Sequence, residues 1–223
     1  MPSLDRDGDV FVLNLGDTEN RFHPSWLAQA QEYLDAVAAT DGPRALVTSA
    51  TGKFFSNGLD LDWLREHAED FAGYVIDVHH LFERVLAIGV PSVAAIQGHA
   101  FAGGAMLSLA HDFRVMRADR GYFCLPEVDI NIPFTRGMSA LIQAKLSPKT
   151  AHEAMTTGRR YGGTDALAAD IVDAVAHEDD VLPAAIELAR PLAGKAGGTL
   201  AAIKARMYPQ ALAALADRDS PMD

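Results

Sequence analysis

Three observations predict an α/β fold. Short apolar runs of strand length recur between residues 10 and 125, segments with helical spacing separate them, and glycine or proline closes most of the joints. The chain has 223 residues, 49% of them hydrophobic, which is enough for a sizeable core. One continuous domain is expected, with an α/β core over residues 1–134 and the remainder of the core plus a helical region over residues 135–223.

In chain order, residues 10–15 (VFVLNL) have the length and composition of a strand. His23-Pro24-Ser25 is a helix start, and that helix runs to about Ala39. Residues 45–49 (ALVTS) form a second buried strand, and the glycine-flanked TGKFFSNG after it reads as a loop. A helix follows over residues 61–71. Phe71, Val75, Val78, Phe82, Val85 and Leu86 make a helical stripe that Gly89-Val90-Pro91 ends before a strand over residues 92–96. Residues 102–110 are a helix of small residues, and residues 113–116 and 122–125 are further buried runs, the last broken by Pro126. The pattern then turns helical over residues 138–145, 148–157 and 164–169. A short strand over 171–175 and alanine-rich helices over 183–193 and 200–207 follow, and the end, ADRDSPMD, is expected to fray.

The net charge of −11 argues against duplex nucleic acid as the main partner, because phosphate binding needs clustered lysine and arginine. The acidic start and the absence of an apolar run near 18 residues predict neither a signal segment nor a membrane helix. A single cysteine, Cys124, excludes an internal disulfide framework and fits a buried, inert thiol in a reducing compartment, so a cytoplasmic location is expected.

Several motifs fail. GHAFAGG (98–104) has the gap of a phosphate loop, yet Gly104 and Ala105 stand where lysine and a hydroxyl residue are needed. Its glycines cannot be laid onto the dinucleotide fingerprint. His152-Glu153 lacks the second histidine of a zinc protease, since the position four residues on is Thr156. His79 and His80 point to different helix faces and read as solvated or capping histidines. No nucleophile elbow surrounds Ser56, Ser108 or Ser139. No metal site is expected.

Two stretches stand together: GKFFSNGLDL (52–61) and QGHAFAGGAML (97–107). Each turns from strand to helix through glycine, and N–H groups at a helix start lack intrahelical partners. Two such groups from different loops could grip one carbonyl oxygen as it becomes an oxyanion; equally, the glycines could serve only tight turns or helix packing.

With LPEVDINI (125–132) and the stretch ALAADIVDAVAHEDDVLPAAIELA, these segments resemble, in order, motifs of the enoyl-CoA hydratase/isomerase family, also called the crotonase superfamily. The resemblance covers most of the chain. It implies a spiral of strand-strand-helix turns and a C-terminal helical region that assembles trimers or paired trimers. It places the oxyanion-hole N–H groups on Leu59 and Gly103, and gathers Phe55, Asn57, Gly58, Asp60, Met106 and Asp129 around an acyl-CoA substrate. Arg21 in NRFHP resembles the family's basic residues near the nucleotide; Lys53, beside the first loop, is a second candidate, and Lys204 and Arg206 are further candidates against an ordinary solvated helix face.

Family hydratases carry two glutamates, whereas this sequence has Met106 at the first position and Glu127 at the second. The pattern is most similar to Δ3,Δ2-enoyl-CoA isomerases that use one glutamate, with Glu127 as the proton shuttle and no metal or redox cofactor. Met106 would be an apolar wall or plain helix core, Glu127 a base or a solvated loop carboxylate. Asp60 would cap a helix; Asp129 and Asn131 would orient Glu127 or cap a turn. Two alternatives stay open: an enoyl-CoA hydratase in which Asp129 or a positioned water replaces the missing acid, and a catalytically silent acyl-CoA-binding homologue.

Overall fold

The computed structural model of the chain describes residues 1–220. Strands β1 (Ser3–Asp7) and β2 (Val10–Asn14) form an antiparallel hairpin about Gly8, whose φ of +60° suits a residue without Cβ. Sequence reading missed β1, because SLDRD offers only Leu4 to a core; its charges suit the sheet edge it occupies. Helix α1 (Pro24–Ala39) starts on His23, whose ring accepts the Ser25 N–H at 3.2 Å.

From there the chain coils. Strand β3 (Ala45–Ser49) leads into β4 (Phe54–Ser56), then α2 (Leu61–Glu66) and α3 (Phe71–Ala87). Strand β5 (Ser92–Ile96) leads into β6 (His99–Phe101) and α4 (Gly103–Ala110), and β7 (Phe113–Arg117) into β8 (Phe123–Cys124) and α5 (Arg136–Lys145). In each coil the first strand joins a large sheet, ordered β1-β2-β3-β5-β7 and closed by β9 (Ala174–Ala176), and the second joins a small parallel sheet, β4-β6-β8. The result is the expected strand-strand-helix spiral. Two expectations are corrected: residues 54–56 are a strand inside the predicted loop, and the helix expected over 61–71 breaks at His67, which starts a 3₁₀ turn over Ala68–Asp70.

The large sheet is buried on both faces, so its central strands read as continuous apolar runs. Alternation along β5 sends Ala94 and Ile96 into the main core and Val93 and Ala95 into a second core under α8 (Val181–Ala189). Between β8 and β9 lie α6 (Pro148–Thr157), capped by Ser147 and ended by left-handed Gly158, and α7 (Gly163–Ala168).

Helices α9 (Gly198–Met207) and α10 (Pro209–Leu215) complete the helical C-terminal region; α10 was not foreseen and packs on α3 and α5 through Ala211 and Leu215. Lys204 is not on a solvated face. It is 3% exposed, 2.7 Å from the Asp112 carboxylate, and donates to the Val90 carbonyl at 3.0 Å. Arg206 stays exposed. The expected fraying at the end concerns residues 216–223, of which 221–223 lie outside the described residues. Among the described residues, no helix is long and apolar enough to cross a membrane.

Candidate active site

The first site loop is braced from below. Asn20 is buried and its side-chain amide donates to the Phe54 and Phe55 carbonyls, each at 3.1 Å. Ser56 Oγ donates to the Asn20 carbonyl at 2.8 Å and accepts the Gly58 N–H at 3.1 Å. Gly58 turns the chain with φ +78°. Asp60 then caps α2 by accepting the Trp63 N–H, while its own N–H donates to the Tyr74 hydroxyl at 2.9 Å. The amides on either side of Leu59 are therefore occupied, and the Leu59 N–H has no acceptor among the described residues.

The second loop reaches the same place from β6. Ala102 sits at φ 49°, ψ −122°, a conformation unusual for any residue with a Cβ. Its N–H donates to the Cys124 carbonyl at 3.0 Å, and its carbonyl accepts the Met106 N–H at 3.0 Å. Those two bonds pin the peptide before Gly103, whose N–H, first in α4, has no intrahelical partner. Contact between the loops explains the glycines. A Cβ on Gly104 would lie 2.2 Å from the Ser56 carbonyl oxygen, and one on Gly103 3.2 Å from Gly58 Cα.

These loops open onto a cavity of about 300 Å³ lined by Leu59, Leu61, Phe71, Val75, Phe101 and Ala102, and by Pro126, Glu127, Ile130, Ile132, Pro133, Thr135 and Met138. Glu127 is 6% exposed, and its Oε2 has no hydrogen-bond partner among the described residues. Burial pushes its carboxyl up to about 7, against a smaller opposing hydrogen bond from its own backbone. It is not a solvated loop carboxylate. The other ionisable lining groups, Arg21, Asp62 and Arg65, bind one another at the mouth.

Of the expected site residues, Glu127, Leu59, Asn57 and Arg21 line this cavity, and Gly58 and Gly103 sit where the two loops meet. Arg21 is no free cation, since Glu19, Asp60 and Asp62 surround its guanidinium. Others are elsewhere. Phe55 is fully buried in the core, because its neighbour Phe54 takes the outer face of β4. Lys53 lines a separate depression with Arg117, Arg120 and Glu178. Asp60 serves as the helix cap, and Met106 is core, not cavity wall. Asp129 is turned outward by the tight turn over residues 126–130, and its carboxylate lies against Gly158.

His79 is corrected too: it is buried, not solvated, with Nε2 2.8 Å from the Thr135 hydroxyl. His111 reaches the large sheet, its Nε2 2.7 Å from Thr48 Oγ1. Cys124 is buried, and burial pushes its thiol up to about 11, as suits an inert side chain. Asn20, Tyr74, Ala102 and Thr135 escaped sequence reading. An alanine forced to positive φ leaves no trace in composition, and each of the other three acts through at least one partner 14 to 56 residues away along the chain.

The spiral α/β fold, with its two glycine loops in contact and a buried acid in the cavity onto which they open, is that of a known class of CoA-thioester enzymes. The model of the family "Enoyl-CoA hydratase/isomerase" matches residues 9–218, and the chain belongs to that family. It is 37% identical to enoyl-CoA delta isomerase 2, peroxisomal, of Arabidopsis thaliana, over 94% of this chain and 93% of that one. A crystal structure of a probable enoyl-CoA hydratase from Mycobacterium tuberculosis superposes with TM-score 0.90 at 28% identity, covering 98% of this chain and 93% of the other. An apo enoyl-CoA isomerase structure from the same species also gives TM-score 0.90 at 28% identity, over 99% and 96%.

Proposed function

We propose that the chain is a Δ3,Δ2-enoyl-CoA isomerase in which Glu127 alone moves the proton. The carboxylate removes a proton from C2 of a 3-enoyl thioester, and the electrons of that C–H bond flow into a dienolate whose charge rests on the thioester oxygen. The Leu59 and Gly103 N–H groups receive that oxygen, each contributing about 3 kcal/mol at the transition state. The protonated Glu127 then returns the proton to C4, and the double bond ends between C2 and C3. A proton shift of this kind calls for no metal or redox cofactor.

The observation that carries this reading is the Glu127 carboxyl, buried in an apolar cavity with one oxygen unpartnered. Hydration asks for a second group to position water, and neither position supplies one: Met106, where the hydratases carry their first glutamate, is core, and Asp129 is turned outward. The 37% identity to a plant delta isomerase adds to the same reading. Incubating purified protein with a trans-3-enoyl-CoA should yield the 2-enoyl product. Loss of 2-enoyl absorbance by addition of water would select the hydratase, and tight binding without proton exchange at C2 in deuterated water the silent homologue.

We also infer a homotrimer or paired trimers built through the C-terminal helices, where α9 exposes Ile203 and Met207. Light scattering tests it, and a monomer at micromolar concentration would reject it. The inferred location is cytoplasmic, resting on the lone buried thiol Cys124; a peroxisomal pattern for the tagged chain would overturn it.

A further inference from the structure

One polar pair, a hydroxyl in the cavity wall and a buried histidine behind it, takes no part in the proton shift. Thr135 lines the cavity although it is only 3% exposed, and its hydroxyl oxygen accepts the Met138 N–H at 3.1 Å, which caps α5. The same oxygen lies 2.8 Å from Nε2 of His79 on α3. His79 is 1% exposed, and its Nδ1 has no partner among the described residues. Burial pulls the imidazole down to about 4, so it is neutral and carries one N–H.

The tautomer decides what Thr135 can do. A proton on Nδ1 would orphan a buried donor and spend the Thr135 O–H on Nε2. A proton on Nε2, the form a free imidazole side chain prefers, lets His79 donate to Thr135 and leaves only a lone pair unpaired. Thr135 then accepts two hydrogen bonds, and its own O–H has no acceptor among the described residues. Apolar side chains share the cavity with it, among them Phe71, Val75, Ile132, Pro133 and Met138. An all-carbon tail packed there would leave a desolvated hydroxyl donor unmatched, a cost that an oxygen atom on the tail removes.

We propose that Thr135, held by His79, donates a hydrogen bond to the acyl chain, and that the preferred substrates are enoyl thioesters bearing a hydroxyl or keto oxygen on the tail beyond the reacting carbons. This rests on the isomerase reading for the reaction and only on the cavity for the binding preference. A site built around one substrate oxygen discriminates against analogues that lack it.

The test compares trans-3-enoyl-CoA of one chain length with isomers carrying a hydroxyl at successive tail carbons, by turnover and by titration calorimetry. Wild type should favour one hydroxylated isomer at least tenfold in kcat/KM and in affinity. Thr135→Ser should keep that ratio, and Thr135→Val and His79→Phe should bring it toward one. Equal ratios in wild type, or a preference that survives Thr135→Val, would overturn the subsite. If Thr135→Val fails to fold, the wild-type ratio together with His79→Phe decides. The two readings fail separately. A folded protein that binds the hydroxylated thioester tightly but turns over neither rejects the isomerase, whereas efficient turnover of the plain tail without preference rejects only the subsite.

Discussion

Gly58 and Gly103 touch: a Cβ built on Gly58 would lie 2.6 Å from the Gly103 nitrogen. That nitrogen carries one of the two proposed oxyanion donors, so the closeness of the loops and the grip on the thioester oxygen are one feature. Gly58 also holds φ +78°, which disfavours any side chain. Gly58→Ala is therefore expected to lower kcat at least a hundredfold, the scale of losing one such donor, and to lower Tm. Steady-state kinetics and a thermal melt check both.

Turnover should follow the protonation of Glu127. Its carboxyl is pushed up to about 7, and only the ionised form can take the C2 proton. We expect kcat/KM to rise with pH and level off above about 7. A profile already flat from pH 5 upward would show that a different group is the base.

The same residue should weaken the fold where it is charged. The native state holds the Glu127 proton to about 7, while the unfolded chain releases it near 4.5. The native state therefore binds more protons between those values, and stability falls as pH rises through them, by at most about 3 kcal/mol. Glu127→Gln should abolish turnover, leave acyl-CoA binding largely intact, and be more stable than wild type above pH 7 but not at pH 4. Denaturant titrations at the two pH values measure this.

Ala102 offers a separate probe of the second loop. Holding an alanine at φ 49°, ψ −122° costs about 1–3 kcal/mol, whereas glycine adopts that conformation freely at some cost in unfolded-state entropy. Ala102→Gly should raise stability by about 1 kcal/mol, and Ala102→Val should lower it. Chemical denaturation of the three proteins decides.

Lys204→Met would leave the partly exposed Asp112 carboxylate with only the Ser92 amide and hydroxyl as donors. The loss should fall below the roughly 3 kcal/mol of a fully buried pair, and a fall in Tm is expected. Lys204 is far from being the solvated cation that a helix of alanines suggests.

The contrast shows what a sequence can carry. Strands β3 and β5 and helices α1, α3 and α6 were legible because each holds a full apolar period between turn residues. Strand β1 and helix α10 were not: one is charged at an edge, the other gains its place from α3 and α5. Within the site, Glu127 and the two glycine turns stood out as motif. Direction did not. Asp129 is two residues from Glu127, and a single turn sends one inward and the other outward.

Because the amides belong to successive coils, and β4 pairs with β6 immediately before both, the gap between them is governed by interstrand spacing, about 4.8 Å in any sheet. It works as a calliper cut from main chain, which substitutions among the lining side chains leave untouched. Such a scaffold can trade one reaction for another by exchanging the residues around the proposed grip.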